Sequence, residues 1–187
     1  KFKILYVDCP WSYKDKARSG ERGVDYKYST MTDSELINLP IKDISADNSI
    51  IFMWATFPRL ELALEVMKSW GFTYKTVGFV WCKKNKKSDS WFWGMGNWSR
   101  ANTEICLIGV RGKPKRRSAK VHQLITAPIS RHSAKPKEVR EKIIELCGKL
   151  SRIEIFAREK TPGWTSIGKD IDGLDIRASL NNLITCE

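Results

Sequence analysis

Apolar residues fall along this chain in two rhythms, short unbroken runs and helical stripes, and the two alternate. Ile4-Leu5-Tyr6-Val7 is the first run; Ser49 to Ala55, Thr76 to Cys82, Glu104 to Val110 and Ile153 to Ala157 follow. Runs of this length read as strands buried in a sheet. Between them, Pro58 to Trp70 carries Leu60, Leu64 and Met67 at helical spacing, with proline in the first turn and Gly71 at the stop. Pro136 to Leu150 has the clearest stripe, with Val139, Ile143, Ile144, Leu146 and Cys147 on one face. Thr32, followed three residues later by Glu35, has the capping-box pattern and predicts a short helix to about Leu39. Leu174 to Leu183 predicts a terminal helix. Strands alternating with helices predict an α/β sandwich around a mainly parallel sheet. With 187 residues, 42% hydrophobic and free of internal repeats, the chain reads as one domain over 1–187, with long loops near 12–30, 83–102 and 111–131.

Charge adds a partner to that picture. Lys and Arg number 33 against 21 acids, a formal net charge of +12, which suits a polyanion. The excess is concentrated. Lys83 to Arg100 interleaves Lys83, Lys84, Lys86 and Lys87 with Trp91, Trp93 and Trp98 and has no clear period, so it predicts a loop that meets bases and phosphates. Arg111 to Lys120, with Arg116 and Arg117 at its centre, predicts a phosphate-contacting loop; a solvated charge run is the alternative. No apolar stretch approaches the ~18–20 residues of a membrane span. The sequence starts on a strand, without a signal-peptide pattern. The five cysteines (Cys9, Cys82, Cys106, Cys147 and Cys186) are scattered and only two histidines accompany them, so no zinc site and no disulfide framework is expected. Cys82, Cys106 and Cys147 read as core.

The candidate chemistry sits after the first run, where an open α/β sheet places its ligands. Asp8-Cys9-Pro10-Trp11 puts an acid, a proline and a large aromatic at a strand's carboxyl end. Asp-x-Pro is also an ordinary turn, and a tryptophan there also fits a core. The residue types nonetheless match one task, modifying the exocyclic amine of a nucleobase. That nitrogen is a poor nucleophile until its N–H bonds are held. Asp8 is a charged acceptor for one of them. The Cys9 carbonyl is a second acceptor, aimed by the restriction that Pro10 imposes. Trp11 offers a face to the base, worth roughly 1–3 kcal/mol. No Gly-x-Gly-x-x-Gly or phosphate-loop motif follows a strand, which disfavours dinucleotide and nucleoside-triphosphate enzymes.

Asp8-Cys9-Pro10-Trp11 resembles the Asp-Pro-Pro-Trp signature of the adenine-N6 methyltransferases related to the catalytic subunit of the eukaryotic messenger-RNA adenine methylase. Further blocks follow in that family's order: Tyr28 to Glu35, Phe52 to Thr56, Glu104 to Gly112, Ser133-Ala134-Lys135-Pro136, Glu154 to Arg158, and Gly163-Trp164 through Gly168. The chain departs from the family pattern at Cys9, where proline is usual, and at Gly168-Lys169-Asp170, where Gly-Asn is usual. The resemblance implies a Rossmann-like methyltransferase fold in permuted order, catalytic strand first and cofactor strand last, with S-adenosylmethionine as cofactor. It implies that Asp8, Cys9, Pro10 and Trp11 carry catalysis and that Tyr28 and Glu104 lie near the target base. Lys83, Lys84, Trp98, Arg116 and Arg117 are the expected nucleic-acid contacts. Asp8, Ser133, Lys135, Phe156 and Arg158 would line the cofactor pocket, with Lys135 on the methionine carboxylate and Asp170 on the ribose hydroxyls. The expected activity is methylation of adenine N6 on a flipped-out base, with DNA favoured over RNA. The expected setting is the cytoplasm of a bacterium or phage-infected host, with a homodimer or a like-folded partner as the assembly. The alternatives are an RNA enzyme, a cytosine-amine methyltransferase, and an inactive nucleic-acid-binding subunit.

Overall fold

A computed structural model describes residues 1–13, 31–96, 98–130 and 134–185. The elements in chain order are β1 (Phe2–Val7), α1 (Asp33–Ile37), α2 (Ile41–Ile44), β2 (Ser45–Ala55), a 3₁₀ turn (Phe57–Arg59), α3 (Leu60–Ser69), β3 (Thr73–Lys84), β4 (Thr103–Arg111), β5 (Leu124–Pro128), α4 (Glu138–Cys147), β6 (Arg152–Ile155), β7 (Thr165–Ile167), α5 (Lys169–Asp172) and α6 (Ile176–Thr185).

The seven strands form one sheet in the order β5-β3-β4-β2-β1-β6-β7. β1 pairs in parallel with both β2 and β6, β6 with β7 and β3 with β5, while β4 is antiparallel to β2 and β3. Six strands therefore run one way and β4 alone runs against them, so the expected mainly parallel α/β fold is a mixed sheet with one reversed strand. The chain moves to one side of β1 for β2 and to the other side for β6. β1 is thus the switch point, where a crevice opens at the strand ends.

Helices on both faces explain the unbroken apolar runs. Successive residues of β1 point to opposite faces. Leu5 and Val7 join Ile51, Met53, Leu107 and the buried faces of α1, α3 and α6, while Ile4 and Tyr6 join Phe52, Trp54, Phe79, Trp81 and the Val139-Ile143-Cys147 stripe of α4. The predicted capping box is formed: the Glu35 backbone N–H donates to Thr32 Oγ1, and Thr32 N donates back to Glu35 Oε2 at 2.8 Å. Four elements that the apolar pattern did not announce are α2, β5, β7 and α5, each of five residues or fewer. Cys106 and Cys147 are buried as expected, but Cys82, paired across β3–β5 with Thr126, is only half-buried.

Candidate active site

The parallel strands deliver their carboxyl ends to one edge. β1 ends into Asp8, β2 into Thr56, β6 into Phe156 and β7 into Gly168. β4, running the other way, brings its first residues, Thr103 and Glu104, to that same edge. Reversal of one strand is what lets Glu104 reach Asp8 at all.

Lys135 joins the two acids. Its Nζ donates to both Asp8 carboxylate oxygens, at 2.7 and 2.8 Å, and lies 3.3 Å from Glu104 Oε2. Glu104 Oε1 accepts from Lys83 Nζ at 2.5 Å. The result is a chain of alternating charge, Asp8–Lys135–Glu104–Lys83. Burial lifts the Asp8 carboxyl above the ordinary aspartate value, with the Lys135 ammonium working against that lift. Glu104 pays a burial penalty too, but two ammonium groups outweigh it and hold its carboxyl below the usual glutamate value. For Lys135, burial favours the neutral amine, and the two carboxylates overcome it and raise the ammonium. The Lys135 ammonium also lies 5.6 Å from the centre of the Trp54 ring.

Below this chain is a ladder of buried polar contacts. Trp11 Nε1 donates to the Trp54 carbonyl at 3.1 Å, and Trp54 Nε1 donates to Tyr6 Oη at 2.7 Å. The Arg140 guanidinium lies over the Tyr6 ring and donates twice to Glu154, both at 2.7 Å. Burial pushes the Glu154 carboxyl up, against the pull of Arg140. Glu154 opens one of the family blocks, and the resemblance implies no role for it. The available signal was a lone acid inside the apolar strand Arg152–Ile155, which calls for a buried partner.

Asp8, Lys135, Phe156 and Arg158 form a wall shared by two cavities. One, of about 790 Å³, runs over Tyr6, Ala127, Arg140 and Glu154. The other, of about 720 Å³, runs over Cys9, Trp11, Tyr13, Thr56, Glu104, Lys169 and Asp170. Both volumes lie in the range of small-molecule sites. Among the described residues, Phe156 is the one non-glycine with positive φ, at 62°. A bulky side chain there is strained by about 1–3 kcal/mol, and such strain gathers at functional sites. Gly168 makes the bend possible: a Cβ there would lie 2.6 Å from the Ala157 carbonyl and 3.1 Å from the Phe156 carbonyl carbon.

The residues predicted for the site separate into groups. Asp8, Cys9, Pro10, Trp11, Glu104, Lys135, Phe156, Arg158 and Asp170 all line the second cavity. Trp11 is buried rather than free-standing. The Cys9 carbonyl accepts the Trp11 N–H at 2.9 Å, leaving its second lone pair. The Cys9 thiol is driven up by burial, which disfavours the thiolate. Lys83 turns inward to Glu104, and Lys84 pairs with Asp89 and covers the Trp91 ring, so both are engaged within the chain. Trp98 is fully exposed beyond the β3–β4 ends. Arg116 and Arg117 do not converge with the others. They follow the carboxyl end of β4, at the opposite edge of the sheet, where the Arg117 N–H caps the Leu146 carbonyl of α4. The nine residues of β4 separate its own two ends by about 27 Å. Tyr28 and Ser133 lie outside the described residues, as does most of the predicted 12–30 loop.

A family model described as MT-A70 matches residues 2–170. The chain belongs to the MT-A70 family. It is 34% identical to "Type II methyltransferase M.MunI" of Mycoplasma sp over 91% of this chain and 78% of that protein. It is 28% identical to the human "N(6)-adenosine-methyltransferase catalytic subunit METTL3" over 94% of this chain and 29% of that protein, and 29% identical to the Danio rerio METTL3 subunit over the same shares. The chain therefore spans less than a third of the length of those eukaryotic relatives. The MT-A70 family is one of adenine-N6 methyltransferases, and methyltransferases of this family use S-adenosylmethionine. Among the described residues no helix is long and apolar enough to cross a membrane.

Proposed function

We propose that this MT-A70 chain methylates the exocyclic N6 amine of adenine in DNA, with the base flipped out of the duplex into the cavity beside Trp11. The observation that carries the reading is the wall shared by the two cavities, because a two-substrate transfer needs two compartments that open onto one carboxylate. DNA is favoured because the type II methyltransferase relative is matched over most of its own length and the METTL3 subunits over less than a third of theirs.

The residues fit the cofactor. A sulfonium donor bearing a carboxylate, a ribose and an adenine needs a cation, an acid and a flat apolar face; Lys135 or Arg158 and Phe156 supply the first and last on the wall between the two cavities, and Asp170 supplies the acid on its Trp11 side. When bound, S-adenosylmethionine supplies an electrophilic methyl group for direct in-line transfer. Asp8 accepts one N–H of the amine, and the free lone pair of the Cys9 carbonyl accepts the other, which turns the nitrogen lone pair toward attack. Lys135 keeps Asp8 charged as an acceptor, and Glu104 keeps Lys135 from binding Asp8 too strongly to release it. The upward lift on the Asp8 carboxyl makes it a better base for the proton that the amine sheds after transfer. The buried, protonated Cys9 takes no covalent part. The gain comes from positioning and exclusion of water. Unstacking the base costs a few kcal/mol, which the cationic surface offsets through phosphate contacts. Acting on DNA, the protein works in the cytoplasm of a bacterium or phage-infected cell.

The test is methyl transfer from isotopically labelled S-adenosylmethionine to matched DNA and RNA oligonucleotides, comparing wild type with Asp8→Ala and identifying the nucleoside by mass spectrometry. N6-methyladenine in DNA, lost in the variant, is the expected result. The same product only in RNA refutes the substrate, and a product unaffected by Asp8→Ala refutes the role of Asp8.

A further inference from the structure

Eight large apolar side chains are exposed among the described residues, and four of them fall within one stretch between β3 and β4: Trp91, Trp93, Met95 and Trp98, the last fully open to solvent. Clustered exposure of this kind marks an interaction surface. The stretch has a built shape. Lys84 bridges Trp91, and Gly94 bridges Ala101 with its N–H on the Ala101 carbonyl at 2.8 Å. A Cβ on Gly94 would lie 2.4 Å from the Ala101 carbonyl, and one on Gly96 would lie 1.9 Å from the Ser99 carbonyl, so only glycine allows so tight a closure. The loop therefore holds Met95 and Trp98 outward. Its root is the pair Lys83–Glu104, one link from Lys135 and Asp8.

We infer that this loop is a stacking platform for unpaired nucleobases, which holds nucleic acid opened beside the site. It deepens the nucleic-acid reading above and rests on it. Flat apolar rings beside Lys86, Lys87 and Arg100 match a partner that carries apolar faces on a polyanionic backbone. A second copy of the chain fits less well: in a two-fold pair the loop would meet the same cations on a molecule that also carries +12. Stacking is tolerant of sequence, so the platform adds affinity without choosing a target.

The probe is fluorescein-labelled (dT)20, read by anisotropy over a salt series, with sedimentation velocity to follow the oligomeric state. Thymine has no exocyclic amine, so the result is independent of whether the chain methylates adenine. Trp98→Ala is expected to weaken binding roughly 5- to 150-fold with an unchanged salt slope, and Trp98→Phe to retain most of it. The Lys86→Ala/Lys87→Ala double variant is expected instead to flatten the salt slope by about 1.4. Unaltered melting temperatures will show that the exposed substitutions leave the fold intact. Failure of the wild type to bind (dT)20, or an unchanged affinity in Trp98→Ala, overturns the inference. An unchanged affinity with a dimer lost assigns the loop to a second copy.

Discussion

Replacing Lys135 by Met removes one cation from between two buried carboxylates while keeping nearly the same volume. At the observed 2.7 Å, and with an effective dielectric of about 20, each such contact is worth roughly 6 kcal/mol of attraction before desolvation. The net cost of orphaning a buried partner is smaller, about 3–5 kcal/mol. Glu104 retains Lys83, so the loss falls on Asp8. Its side chain keeps 25% exposure, which sets the expectation at the low end, about 3 kcal/mol at pH 8. Asp8→Asn in the Lys135→Met background should recover most of this, giving a coupling of roughly 2 kcal/mol in the double-mutant cycle. The sign with pH follows from where the proton goes. Without Lys135, burial raises the folded-state carboxyl further above its unfolded value, so the folded state holds a proton that the unfolded state releases. Stability then falls as pH rises through that window and returns as pH falls, by about 1.4 kcal/mol per unit of separation. The Lys135 ammonium is itself raised, so its contribution to the wild type is complete below the unfolded lysine value and constant over the range measured. Urea unfolding of the four proteins at pH 5 and pH 8 is the assay. Additivity within about 0.5 kcal/mol, or an equal deficit at both pH values, refutes the reasoning.

Tyr6→Phe removes the acceptor of the Trp54 indole N–H and should cost about 1–3 kcal/mol in urea unfolding, with far-UV circular dichroism unchanged. Gly168→Ala drives a methyl group into the Ala157 and Phe156 backbones; a loss of about 1–3 kcal/mol and a weaker calorimetric affinity for S-adenosylmethionine are expected, and unaltered affinity would separate the bend from the cofactor. Glu35 is held down to about 2 by the Thr32 backbone and hydroxyl and by Arg177. Its contribution is full above the unfolded glutamate value and lost as pH falls toward about 2, so Glu35→Gln should lower stability at pH 7, flatten the acid limb of a stability–pH profile and leave its acid end little changed. Arg140→Met should destabilise by about 3–5 kcal/mol because it strands Glu154, and Glu154→Gln in the same chain should restore part of that, read by thermal unfolding.

What was legible in the sequence was whatever is local. The strand into Asp8, the Thr32–Glu35 box and the apolar face of α4 each lie within a few residues, and local propensity and tertiary packing agree there. β5 and β7 were not legible, because five and three residues carry too little pattern to outweigh a loop reading. The direction of β4 was hidden too, since a doubly buried strand reads the same both ways. That direction decides that Glu104 enters the site and that Arg116 and Arg117 leave for the other edge. Lys135 stands out in the sequence only through the family resemblance, which points it at the cofactor; its contact with Asp8 spans 127 positions, a separation at which no spacing rule operates.

The shared wall of Asp8, Lys135, Phe156 and Arg158 also has a pharmacological consequence. Two compartments divided by one layer of side chains can be reached by a single molecule with an arm in each. Tethering turns the second binding event into an intramolecular one, so two weak fragments gain affinity through their linker alone, without any new contact. The linker has to pass Asp8, and a chain that escaped such a compound by substitution there would give up the carboxylate on which both compartments open.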